Sequence, residues 1–171
     1  MKKYEEQLSE DAALLDQDLK QYKRCIDRKK SLERRKKEII WELDHPLKGI
    51  SYDGMSHGSG ESVGCAAISF RLDEIKTRIE EQKEKAVKVL ADIMDVIEFL
   101  PENSMERAII EHKYIDRQSW KRICGIENIS RTPATKYWRK GLYELLEFKK
   151  VQQIVHEYEK EKEAINFAGN F

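Results

Sequence analysis

The sequence predicts an all-α protein, and three observations carry that reading. Apolar residues recur by threes and fours over long stretches, and no segment alternates or runs continuously apolar as a strand would. Charged residues make up 37% of the 171 and hydrophobic ones 40%, against about 25% and 45–50% in an ordinary globular domain. Five of the eight glycines and one of the three prolines fall between His45 and Gly64, which leaves long unbroken stretches on either side. Thirty-two Lys and Arg cancel thirty-two Asp and Glu, so a net charge of zero hides a dense mixture of both signs. That mixture suits long solvated helices better than a thick α/β core.

The first helical stretch precedes His45. Leu15, Tyr22 and Leu43 fall on one heptad line and Leu19, Ile26 and Ile40 on another, with Lys29, Glu33 and Lys36 interrupting the register and Leu32 partly restoring it. Residues 45–64, rich in glycine and serine, read as a flexible connector. A second helix is expected from Val63 to Phe99, with Ile68, Leu72, Ile75, Ile79, Ala86, Leu90, Ile93 and Ile97 on its apolar stripe. Each stripe is narrow, so neither helix is stable alone; pairing them as a hairpin, or across a dimer, buries both. The expected first domain is thus a helical hairpin or coiled coil over 1–99.

Pro101 ends that pattern, and the texture changes after it. Short helical segments follow, opened by capping serines at Ser104, Ser119 and Ser130. They predict helices over Ser104–Ile115 and Ser119–Ile126 and a third opening at Ser130: a helix-turn-helix domain over 101–148, with a trailing helix and tail over 149–171. Ser130 is expected to accept hydrogen bonds from the first-turn amides, and Pro133 is tolerated because early N–H groups have no intrahelical partner. From Lys113 to Lys140 eight basic residues stand against Asp116 and Glu127, a basic module in a neutral chain that points to a nucleic-acid partner.

The third helix is the most specific signal. At about 100° per residue, Arg131, Thr132, Thr135, Lys136 and Arg139 share one sector, while Ala134, Tyr137, Trp138, Gly141, Leu142 and Leu145 fill the opposite one. A helix sorted this way is suited to lie in a DNA groove while packed on its own domain. Arg131 is the candidate for a guanine edge, and Thr132 and Thr135 for a thymine methyl or a base-edge acceptor. Lys121, Arg122, Arg139 and Lys140 are candidate phosphate contacts, and Arg117 and Lys136 suit either task. Trp120 is expected to anchor the small core, and Trp138 to join it or pack on the N-terminal helices.

At these residues the sequence resembles a known group. Glu106-Arg107-Ala108-Ile109-Ile110, Tyr114-Ile115, Ser119-Trp120-Lys121-Arg122-Ile123, Ile129-Ser130-Arg131-Thr132 and Lys140-Gly141-Leu142-Tyr143-Glu144-Leu145 are similar to the region-4 helix-turn-helix of bacterial sigma factors. The form resembled is that of small phage regulators: late-gene activators of the ArpU/RinA type, prophage positive control factors and a related phage family. The N-terminal helix, the connector with Tyr52-Asp53-Gly54-Met55 and Gly58-Ser59-Gly60, and the second helix are also similar to these regulators. The resemblance implies a sequence-specific DNA-binding activator of phage or mobile-element genes, with Arg131, Thr132, Thr135 and Lys136 reading bases and bacterial RNA polymerase as a further partner. The chain departs from the pattern at three places. Glu127 occupies the slot where a leucine closes the turn, with Ile126 as the expected substitute; Cys124 takes the small-residue slot; His112 stands at an apolar position, read as a satisfied core histidine.

Other signals are set aside. Gly54-Met55-Ser56-His57-Gly58 matches a nucleophile-elbow pattern, but that pattern needs a large α/β sheet around it. His45, His57 and Cys65 fit no structural zinc spacing. Cys25, Cys65 and Cys124 are an odd number without C-x-x-C pairing and read as reduced thiols. No apolar run approaches the roughly 18 residues of a membrane span, and Met1-Lys2-Lys3 leads into Glu5-Glu6 rather than an apolar signal segment. The sequence therefore predicts a cytoplasmic, nucleoid-associated, non-enzymatic dimer that binds double-stranded DNA, with no cofactor, metal or membrane partner. The alternative is a small terminase-like packaging subunit, in which the DNA-binding part ordinarily precedes the oligomerising part. A third reading is a protein-interaction adaptor that has lost DNA binding.

Overall fold

A computed structural model of the chain describes residues 8–44 and 61–168. Among them every regular element is helical and there is no strand. The helices are α1 (Glu10–Leu19), α2 (Gln21–Asp44), α3 (Glu61–Ile97), α4 (Met105–Ile110), α5 (Trp120–Ile126), α6 (Arg131–Leu146) and α7 (Lys149–Ala168). One π-helical turn, Glu111–Ile115, prolongs α4. The Gly54–Gly58 motif, His45, His57 and most of the expected connector lie outside the described residues. The connector's last four positions, 61–64, already belong to α3.

Compactness divides the chain into two units, Met1–Lys23 with Lys88–Phe171, and Arg24–Val87. The sequence placed its boundary at Pro101, where helix propensity breaks. The structural boundaries instead fall inside α2 and α3, because burial, unlike propensity, depends on which other helices cover a stripe.

In the first unit α1 packs on α6 and α7, and α4 and α5 pack on α6. Its larger nucleus gathers Leu15 and Leu19 of α1, Ile97 and Leu100 at the end of α3, Ile110, Leu142 and Leu145, and Val151 and Val155 of α7. The trailing helix thus contributes core residues. A smaller nucleus holds Ile109, Ile123 and Ala134, with Trp120, Cys124 and Ile129 packed against it. Trp138 packs against both, so the two placements the sequence left open are both occupied. At Gly141 an added Cβ would come within 2.6 Å of Ile110 Cδ1 and 3.2 Å of Glu106 Cβ, so a glycine lets α4 and α6 cross this closely.

The N-terminal stretch is two helices rather than one, parted at Lys20, where ψ flattens to −5°. Lys20 pairs with Asp16, and the Gln21 amide bonds back to Asp18. In the second unit Cys25 and Leu32 of α2 and Ile79 and Ala86 of α3 are buried. The two helices flank a groove lined by Lys36, Lys37, Ile40, Lys76, Ile79 and Lys83. The heptad reading placed Ile40 in the seam; it is exposed, as are Trp41, Phe70 and Val87. No helix among the described residues is long and apolar enough to cross a membrane.

Candidate nucleic-acid interface

The three-helix arrangement around α6 rests on local chemistry that repeats. Ser9, Ser104 and Ser119 each accept a hydrogen bond at the side-chain oxygen from the backbone N–H three residues on: Ala12, Arg107 and Arg122. Ser130 was expected to do the same and does not. The position three beyond it is Pro133, which has no N–H to give. The helix still opens there, with the Ala134 N–H bonded to the Ser130 carbonyl at 3.2 Å.

Two corners orient the helices. Between α5 and α6, Asn128 takes a left-handed conformation (φ 51°) and the Ile129 N–H reaches back to the Cys124 carbonyl at 3.1 Å, a helix-terminating motif in which asparagine replaces glycine. The resemblance suggested Ile126 as the residue closing this turn, but Ile126 is exposed and Ile129 packs inward instead. At the other corner Arg117 has φ 56°, and the Gln118 N–H bonds the His112 carbonyl at 2.8 Å. The π turn before it inserts one extra residue, which rotates the side chains that follow. His112 ends with Nδ1 2.8 Å from Asp116 Oδ2 and Nε2 3.0 Å from Glu127 Oε1. Two departures from the family pattern, His112 and Glu127, are therefore one contact. His112 is half-buried rather than a core residue.

On α6 Ala134, Leu142 and Leu145 are fully buried, and Arg131, Thr132 and Lys136 are exposed. Tyr137, placed by angle on the apolar side, is exposed at the margin. Thr135 and Arg139 are half-buried, and the Thr135 hydroxyl donates to the Arg131 carbonyl at 2.9 Å. That leaves Thr135 a methyl and a lone pair to present. Lys121 and Arg122 are exposed on α5. Lys140 and Arg117, two of the sequence-derived positions, make contacts within the unit. Lys140 pairs with Glu106 at 2.6 Å and Glu144 at 3.2 Å, and the Arg117 guanidinium lies 5.4 Å from the ring centroid of Tyr22. Burial pushes the Glu106 carboxyl up, but the Lys140 ammonium and a backbone amide hold it, on balance, below the usual carboxylate range.

Beneath this face lies an aromatic and ionic group that sequence reasoning did not assemble. The Arg131 guanidinium carbon sits 4.0 Å from the centroid of Trp120, and Lys113 Nζ sits 4.3 Å from the same ring and 5.4 Å from Trp138. The two indoles meet edge to face, centroids 5.9 Å apart. Trp138 Nε1 donates to the Tyr114 hydroxyl at 2.8 Å, and that hydroxyl donates to Asp16 Oδ1 at 2.6 Å. Burial, with the Asp16 charge, raises the Tyr114 phenol well above its ordinary range. Burial also lowers the Lys113 ammonium to about 8, against the pull of Asp16 and with Lys20, Arg131 and Lys23 adding repulsion. Lys113 counts in the basic module but is not one of its free cations. A second concentration of positive charge lies between Lys23 and Lys37, nine basic residues against Asp27 and Glu33.

Compared with protein-family models, curated proteins and solved structures, the chain matches none.

Proposed function

We propose that the protein binds double-stranded DNA through α6 and regulates transcription, as the resemblance to phage late-gene regulators implies. One observation carries the reading. A single helix buries Ala134, Leu142 and Leu145 on one side and exposes Arg131, Thr132 and Lys136 on the other. Lys121 and Arg122, exposed at the start of α5, are suited to phosphate oxygens that set the register on the duplex. Thr135 and Arg139 border the reading face. Activation through RNA polymerase, and a dimer formed through the second unit, belong to the same reading.

The test is fluorescence anisotropy on fragments selected from the host and phage genomes. Arg131→Ala with Lys136→Ala is expected to abolish preference among fragments. Lys121→Ala is expected to weaken all fragments alike and lower the salt slope by about one. Unchanged affinity and preference in the double variant would sink the assignment.

A further inference from the structure

Three properties of Arg131 bear on what it can bind. It is exposed; its side chain makes no hydrogen bond or ion pair with a described residue; and its guanidinium is held 4.0 Å from the Trp120 centroid. Stacking engages the face of a guanidinium, while its N–H donors lie in the plane and remain available. Part of the rotamer entropy a long side chain loses on binding is therefore lost beforehand. The ring beneath it is held in turn. Trp120 and Trp138 meet edge to face, and Trp138 is fixed by Tyr114 and, through Tyr114, by Asp16 on α1.

Lys113 brings a second cation to the same indole, close enough to repel Arg131, and is itself pushed toward neutrality by burial. Two like charges converging on one ring break a local rule, as functional sites do.

We infer that Trp120 is a positioning residue that presents the Arg131 guanidinium, edge outward, to a planar two-point acceptor, the O6/N7 edge of one guanine in duplex DNA. The inference rests on the DNA-binding reading. A phosphate oxygen pair offers similar acceptor chemistry, and the experiment separates the two.

The full-length protein is titrated against its preferred duplex and against duplexes carrying 7-deazaguanine, which lacks the N7 acceptor, at each guanine in turn. One position is expected to cost the unmodified protein about tenfold, within the range for a bidentate contact, and to cost Arg131→Ala nothing more. Trp120→Leu is expected to cut that sensitivity to about twofold with an unchanged salt slope, and Trp120→Phe to give an intermediate value. The shape-preserving control is site-specific incorporation at position 120 of tryptophans carrying successive fluorines, which withdraw charge from the ring without emptying the core. Sensitivity at the one guanine should fall stepwise along that series.

Full sensitivity throughout the fluorinated series overturns the inference. So does a uniform loss for Arg131→Ala on every duplex with a salt slope lowered by about one, which makes Arg131 a phosphate contact while DNA binding stands. Failure to prefer any duplex over random sequence removes the DNA-binding reading itself, and this inference with it.

Discussion

The two compact units use the same raw material to different ends. Around α6 three or more helices converge, and Leu15, Leu19, Ile110, Ile123, Leu142 and Leu145 are sealed from solvent. In the Arg24–Val87 unit two helices flank one groove, the buried hydrophobic residues among the described ones are Cys25, Leu32, Ile79 and Ala86, and Trp41, Phe70 and Val87 face outward. A stripe of given width yields more burial when a third element covers its flank. The first unit should therefore carry most of the stability, and the second should respond mildly to truncation.

The largest expected effect tests that contrast directly. Leu142→Ala should cost about 4 kcal/mol and Leu32→Ala about 2, the upper and lower parts of the range for buried leucine. Urea denaturation measures both, and equal costs would break the comparison. Next in size is the polar pair at the α4–α5 corner. His112→Leu leaves the half-buried Glu127 carboxylate without its imidazole and should cost about 1–3 kcal/mol. Adding Glu127→Leu should recover most of it, a non-additivity read from a double-mutant cycle.

Lys113 gives a smaller effect whose sign depends on pH. Its folded value near 8 lies below the ordinary 10.5, so between those values the unfolded chain holds a proton that the fold has shed. Raising pH through that window favours the fold, and below about 8 the penalty is present in full. Lys113→Met should therefore be more stable than the parent at pH 7, with the gap narrowing by about pH 9.5 in parallel thermal melts. The smallest effect belongs to the second unit's surface. The Arg78–Glu74 pair, 2.6 Å apart and about half exposed on both sides, should change stability by less than about 0.5 kcal/mol on Arg78→Ala.

The contrast also explains what the sequence made legible. Capping serines and Pro101 are local signals, and Ser104, Ser119 and Ser130 do open helices at the expected positions. Angular sorting along α6 separates Arg131, Thr132 and Lys136 from Ala134, Leu142 and Leu145 because one domain covers one side of it. What escaped depends on partners distant in the chain. Nothing within five residues of His112 announces Glu127, and nothing near Tyr114 announces Asp16, 98 positions away. Lys140 has a partner visible locally in Glu144, four residues on, and a distant one in Glu106, which only the fold places beneath it. Two further misses had local signals: proline at the third position of α6, which silences the Ser130 cap, and Asn128, a residue suited to left-handed corners.

Trp138 has a consequence for how the fold comes apart. Because one indole supplies a wall to both apolar nuclei, opening either one strips packing from the other. α1, α6 and α7, with α4 and α5 packed on α6, are therefore expected to melt as one unit. Amide hydrogen exchange in α1, α6 and α7 should report one common opening free energy.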